Sequence, residues 1–296
     1  MIRIGIDIGG TFTDFAVWRD TVGGYTNILS FKVPSTPPDF ANAVRTGLDQ
    51  MIENGTIATD DEILLVHGTT VSTNAVIERS GPILALLVTK GFPDVLNIQR
   101  LRLDKPIDMF NRRTDSLVAR EHVFEIDERL LSDGTVEQPL RDSSVRDAVS
   151  KAADAGAQAL AVCFLHSYQN PAHEIAARDI IASDKNGLSV TISSEIWPQQ
   201  NEYERAVVAV LNSYVRKIVG DYIGEIEDYL KQKLPGAKLF ITKSNGGVMA
   251  SEVAYRHPVH TMLSGPAAGV TAAQFVSDIL KMPDLLTMDM GGTSTD

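Results

Sequence analysis

The chain of 296 residues carries 27 Lys and Arg against 38 Asp and Glu, a net charge of -11, with 44% hydrophobic and 22% charged residues. That length supports a large core and favours two domains over one, and the composition is that of a soluble globular protein rather than a disordered one. The acidic balance excludes the broad basic footprint of sequence-independent nucleic-acid binding, so any anionic ligand must be held locally by backbone N–H groups, helix N-termini or a bound cation.

In chain order, apolar runs at 2–8, 12–18 and 25–33, separated by Gly9-Gly10 and Gly23-Gly24, predict a three-stranded meander. The opening residues lack a signal peptide's long apolar region, and no run approaches the ~20 residues of a membrane span, so a cytoplasmic location without membrane contact is expected. Further apolar strands at 63–66, 83–88, 160–165 and 188–192 are followed by helical segments, which predicts crossover connections, a mixed sheet and an α/β class. The single cysteine, Cys163, lies in the apolar run 159–165 and is expected to be buried and unreactive. Residues 97–140, richly charged and weakly patterned, read as an insertion or surface region.

Between 200 and 234, Tyr203, Val207, Leu211, Val215, Ile218, Tyr222, Ile226 and Leu230 recur every three or four positions, which predicts a long amphipathic helix. Gly220 and Gly224 mark where it is expected to bend or break. A strand at 238–242 then runs into Ser244-Asn245-Gly246-Gly247, and a helix is expected from near Pro266 to about Leu280. A last strand at 285–288 is expected to be poorly held, because its hairpin partner and sheet are not part of the sequence.

The most informative feature is a repeat. Asp7-Ile8-Gly9-Gly10-Thr11-Phe12-Thr13-Asp14 and Asp289-Met290-Gly291-Gly292-Thr293-Ser294-Thr295-Asp296 agree at every position except the second and sixth, and each follows an apolar strand. Adjacent glycines let a backbone approach phosphate oxygens and turn its N–H groups toward them, threonine hydroxyls add donors, and a strand-end Asp suits Mg2+ beside phosphates. Each copy alone is equally compatible with a hairpin turn. Turn chemistry explains the glycines, but not the recurrence of Asp and Thr in two copies too far apart for a tandem array. Neither a P-loop nor a G-x-G-x-x-G signature is present.

His67-Gly68-Thr69-Thr70-Val71-Ser72-Thr73-Asn74 follows a predicted strand, where ligands of α/β sheets bind, and makes His67, Thr69, Thr70 and Asn74 candidate substrate contacts. The same residues are equally consistent with a structural histidine and a cap for the next helix. Ser244 to Gly247 stays open in the same way. Ser264-Gly265-Pro266-Ala267-Ala268-Gly269 fits either an anion-binding helix start or close helix packing. His173, His257 and His260 lack partners at metal-ligand spacing.

Taken together, these five motifs resemble the hydantoinase A and 5-oxoprolinase family, and they span the whole chain. The resemblance implies the first lobe of an actin-like, ribonuclease H-like ATPase with a mixed sheet and a truncated second lobe beginning near residue 285. It divides the chain into an N-terminal region, 1–195, and the start of a hydantoinase A region, 196–296. It implies ATP and Mg2+ as cofactors, with Asp7 and Asp289 positioning metal and water as catalytic carboxylates. Gly9, Gly10, Thr11, Thr13, Gly291, Gly292, Thr293 and Ser294 would hold phosphates. The implied chemistry is ATP-dependent opening of a small cyclic amide of the hydantoin or 5-oxoproline type, completed by a hydantoinase B-type partner. The alternatives are a ketone carboxylase subunit and a nucleotide-binding fragment without turnover.

Overall fold

The computed structural model describes residues 1–19, 28–37, 39–101, 107–110, 114–184 and 187–290. The chain opens with strands β1 (Ile2–Ile8), β2 (Phe12–Arg19) and β3 (Leu29–Pro34), then helix α1 (Phe40–Glu53), β4 (Ile63–Thr69) and α2 (Val71–Ile77). Next come β5 (Leu84–Thr89), α3 (Val95–Ile98), β6 (Val123–Ile126), β7 (Arg129–Leu130), β8 (Val136–Gln138) and α4 (Asp142–Asp154). There follow β9 (Ala159–Cys163), α5 (Ala172–Ser183), β10 (Ser189–Ile192), α6 (Ser193–Ile196) and the long helix α7 (Glu202–Lys233). The chain closes with β11 (Ala237–Thr242), β12 (Val248–Ala250), α8 (Ser251–Arg256) and α9 (Ser264–Leu280). It divides into two compact units, Met1–Ile77 with Arg216–Asp296, and Glu78–Val215.

The first unit is built on a mixed sheet of order β12-β11-β4-β1-β2-β3, the α/β architecture expected from the sequence. The β1-β2-β3 meander is antiparallel, whereas β4 pairs in parallel with both β1 and β11. The period of two sorts the side chains: Ile2, Ile4, Ile6 and Ile8 turn to the buried face, and Asp7 turns to the other. Ile63 and Leu65 lie on the same buried face, and each such side chain contributes ~1.5–3 kcal/mol. Helix α1 packs on β2 and β3 through a close approach at Gly47, where a Cβ would fall 2.2 Å from the Phe15 ring.

The second unit holds an all-parallel sheet, β10-β9-β5-β6, covered by α4 and α5 around Ala85, Leu87, Leu160, Val162, Val149 and Ile181. Parallel strands covered by helices are apolar throughout, and β5 and β9 are buried at every position. Cys163 is buried there as expected, with desolvation pushing its thiol up to about 11.

Three expectations are corrected. Residues 97–140 are not only surface, because Val123–Ile126 forms β6 and pairs with β5. The last strand expected at 285–288 is absent: those residues form no ladder and are exposed, Leu286 to 98%. Helix α7 runs through Gly220 and Gly224 unbroken, and Gly220 makes room for Tyr255, whose ring atom Cε2 would lie 2.8 Å from a Cβ there. The expected strand at 25–33 begins, among the described residues, at Leu29. No helix among the described residues is long and apolar enough to cross a membrane.

Candidate active site

The candidate site of the first unit lies at the carboxyl ends of β1, β4 and β11. The register places Asp7 opposite Asp14 on β2 and opposite Gly68 on β4, while Ile6 pairs with His67 and Ile8 with Thr69. Alternation then separates the roles. Asp7 faces one side of the sheet, and His67 and Thr69 share the opposite, buried side with Ile6 and Ile8.

Asp7 keeps an open face to solvent, and its carboxyl packs closely over Gly68: a Cβ there would lie 3.2 Å from Asp7 Oδ1 and 3.6 Å from Thr242 Oγ1. Thr242, at the end of β11, flanks Gly68 and donates to the His67 carbonyl at 3.3 Å. Lost hydration, followed by the charges of Asp14 and Asp289, holds the Asp7 carboxyl above the ordinary carboxylate range. Asp14 is partly relieved by Lys32 at 3.3 Å, but no cation answers Asp7 among the described residues. A carboxylate crowded by like charge fits a divalent cation.

The first glycine turn is braced from outside. Gly9 N–H donates to Phe12 at 3.0 Å, Ser35 Oγ donates to the Gly9 carbonyl at 2.8 Å, and Ser35 N–H donates to Thr11 at 2.9 Å. Nothing lies within 4 Å of where a Gly10 Cβ would project, so the tip is open to a ligand. Thr11 is exposed at that tip. Thr13, expected to reach phosphate, is fully buried with its hydroxyl 3.1 Å from Ser35 Oγ; it supports the loop rather than facing outward.

The run after β4 is used mainly for structure. His67 is completely buried, its Nδ1 3.3 Å from the Ile6 carbonyl and its Nε2 against the Tyr222 hydroxyl, and desolvation lowers its pKa to about 4. With its ring buried and both nitrogens partnered, His67 serves the structure in this ligand-free form. Thr69 Oγ1 accepts from Val71 N–H at 3.2 Å and so caps α2, and Thr70 donates to the Ile8 carbonyl at 3.1 Å. Asn74 donates to Thr70 at 3.4 Å. Thr70 and Asn74 are half-buried, and Gly265, at the start of α9, approaches the Thr70 methyl.

Helix α9 starts beside this edge. Ser264 Oγ donates to the Thr69 carbonyl at 3.2 Å, and no side chain caps the helix, which leaves N–H groups of its first turn unclaimed by a cap. The Ser244–Gly247 turn abuts the same helix, with Gly246 at φ +79° and its α-carbon so close that a Cβ would fall 2.8 Å from Thr271 Oγ1. Only glycine fits both demands.

Of the second motif, Asp289 is described, and its charge reaches Asp7; Gly291, Gly292, Thr293 and Ser294 lie outside the described residues. Among the described residues no group of three His, Cys, Asp or Glu could hold a metal ion. Mg2+ needs no such group, since one or two carboxylates with phosphate and water oxygens complete its shell. Gly68, Thr242 and Tyr222 were not singled out for this site. The signal for Tyr222 was the apolar stripe of α7 facing a histidine with the same strand parity as Ile63 and Leu65.

Residues 3–184 match the hydantoinase/oxoprolinase N-terminal region, and residues 205–296 match hydantoinase/oxoprolinase. The caprolactamase subunit alpha of Pseudomonas jessenii is 34% identical over 99% of the chain and 42% of that subunit. The crystal structure of that organism's ATP-dependent caprolactamase superposes with a TM-score of 0.84, covering 99% of the chain and 43% of the solved one. A nucleotide-free structure of acetone carboxylase, described as carboxylating acetone with ATP, gives a TM-score of 0.88 at 25% identity, over 99% of the chain and 43% of the solved one. 5-Oxoprolinase 1 of Arabidopsis thaliana is 28% identical over the whole chain and 25% of its own length. The chain thus spans less than half of each of these relatives.

Proposed function

The chain belongs to the hydantoinase/oxoprolinase family, and on that footing we propose that it is part of an ATP-dependent amidohydrolase opening cyclic amides of the hydantoin or 5-oxoproline type. The observation that carries this reading is Asp7: a strand-end carboxylate beside an open glycine turn, held above its ordinary pKa by lost hydration and two further carboxylates. Such a group is destabilised until a cation arrives. Asp7 and Asp289 would hold Mg2+ and its water, while N–H groups of Gly10 and the α9 start, with Thr11, would meet phosphate oxygens and Gly9, its N–H held by Phe12, would keep the turn close to them. Gly291, Gly292, Thr293 and Ser294 would supply the matching contacts from the second motif.

When bound, ATP with Mg2+ would supply the phosphoryl group that makes the amide oxygen a leaving group. The protein's own share is to orient: the turn fixes the donors before ligand arrives, and the open tip admits the phosphates without side-chain obstruction. Thr70 and Asn74, half-buried at the end of β4, are proposed substrate-side residues. Thr13 and Thr69 act behind them, bracing the glycine turn and capping α2. A hydantoinase B-type subunit or domain is the proposed partner, and the cytoplasm the proposed location.

A second reading, a ketone carboxylase subunit sharing the activation step, is favoured by the likeness to acetone carboxylase. Calorimetric titration of MgATP into the chain, with Asp7→Ala as control, tests the nucleotide site; equal heats from both proteins would sink it. Phosphate release by the assembled enzyme then separates the two chemistries. Dependence on a lactam selects the amidohydrolase, and dependence on a ketone with bicarbonate selects the carboxylase.

A further inference from the structure

One residue behind Asp7 lies a buried chain of hydrogen bonds that phosphate chemistry does not use. His67 Nδ1 is 3.3 Å from the Ile6 carbonyl, which can only accept, so Nδ1 carries the proton and Nε2 is an acceptor. The Tyr222 hydroxyl meets Nε2 and therefore donates to it. Thr69, on the same buried face of β4 as His67, accepts from Val71 N–H at 3.2 Å. The direction is then set, from Tyr222 through His67 to Ile6. Burial keeps His67 neutral and Tyr222 protonated, so the direction persists at neutral pH.

The geometry of this chain matters because of what it joins. It anchors β4 to α7 at His67, next to Gly68, where a Cβ would lie 3.2 Å from the Asp7 carboxyl, and it anchors β1 at the residue preceding Asp7. Apolar groups of the same volume would pack these strands without desolvating two polar side chains; a satisfied polar chain adds a fixed direction and register. Resting on the nucleotide-site reading above, we propose that Tyr222 and His67 are positioning residues that hold the Gly68–Thr70 end of β4 against Asp7 and thereby set the site's affinity for magnesium-bound nucleotide. Small misplacements of a preorganised group are costly, which gives two buried residues leverage over a site they do not touch.

The test compares ATP binding with Mg2+ and with chelator for the parent chain, Tyr222→Phe and His67→Gln, each at a temperature where circular dichroism shows it folded. Tyr222→Phe is expected to weaken MgATP binding ~tenfold while leaving metal-free ATP binding unchanged. His67→Gln, which keeps an acceptor near Nε2, is expected to lose less. Equal loss with and without Mg2+ in both variants means general loosening and overturns the proposal, as does unchanged MgATP binding in both. Failure of the parent to bind MgATP, or undiminished binding by Asp7→Ala, would instead remove the nucleotide site itself and the proposal with it. Nitrogen NMR of the His67 ring gives an independent check without nucleotide: the Nδ1–H tautomer supports the hydrogen-bond chain, and the Nε2–H tautomer overturns it.

Discussion

Each unit places ionisable side chains at the carboxyl ends of its parallel strands, but the two groups are built on opposite principles. In the second unit Glu174 accepts from Phe164 N–H at 2.9 Å, Ser193 Oγ at 2.6 Å and Ser194 N–H at 2.8 Å. Arg205, fully buried, donates to Ser193 at 3.0 Å and to the carbonyls of Gln199 at 2.8 Å and Phe164 at 2.5 Å. Beside them Glu128 joins Thr89 and His173, the latter at 2.7 Å. Opposite charges share partners there, and each charged group of the cluster is hydrogen-bonded. In the first unit Asp7 faces two further carboxylates and open solvent. A saturated buried network fixes a fold, whereas a frustrated, open one is poised for a ligand.

The largest expected effect comes from breaking the saturated side. Arg205→Met keeps the apolar stem but leaves Glu174 buried without its counter-charge and the Phe164 carbonyl without its donor. A loss of ~3–5 kcal/mol is expected in urea unfolding. Adding Glu174→Gln should recover part of it, because the stranded charge is then gone. A loss under ~1 kcal/mol would show that solvent reaches this cluster and that the contrast between the units is false.

His67 gives the next largest effect, and its sign follows from linkage. Its folded pKa is lowered from 6.5 to about 4, so the unfolded chain binds a proton more readily between those values. Stability is fully present above 6.5 and falls as pH drops toward 4, by about 3 kcal/mol in total. Carboxylates titrate near the lower end, so the measurement is a difference: His67→Gln should show a flatter stability profile than the parent between pH 6.5 and 4. Parallel profiles would mean that His67 is solvated in the native state.

Much of this was legible in the sequence because the period of the apolar pattern carries it. The meander, the buried strands 84–89 and 159–163 and helix α7 follow from alternation and three-to-four spacing. The Asp-Gly-Gly-Thr turn was legible because its Asp and Thr recur with the glycines at 289–293, which turn chemistry alone does not explain. The burial of His67 was the harder part to read: strand ends attract ligands, but its parity with Ile63 and Leu65 sends it to the core. The register of Thr13 with Ile8 likewise turns it inward. Val123–Ile126 was hidden because four residues show too little alternation to separate a strand from a charged surface. The dependence of Asp7 on Gly68 and Thr242 joins residues far apart in sequence, and only the β1-β4-β11 pairing reveals it.

The smallest effect is the most discriminating, and it concerns Asp7→Asn. Because the folded-state pKa of Asp7 is raised above 3.8, the folded chain holds this proton more tightly than the unfolded one, and stability falls as pH rises through that interval. Above it, the ionised carboxylate is a standing cost of the ligand-free fold. Asn keeps the shape and removes the charge, so a small rise in Tm is expected near neutral pH, vanishing below 3.8, where Asp7 is protonated in both states. MgATP should raise the Tm of the parent and leave the variant unmoved. A structural carboxylate behaves in reverse: its removal lowers Tm wherever it is ionised, as removing the charge of Glu174 alone should. Should Asp7→Asn lower Tm at neutral pH, both units would be saturated alike, and the like charges around Asp7 would no longer mark a site awaiting a cation.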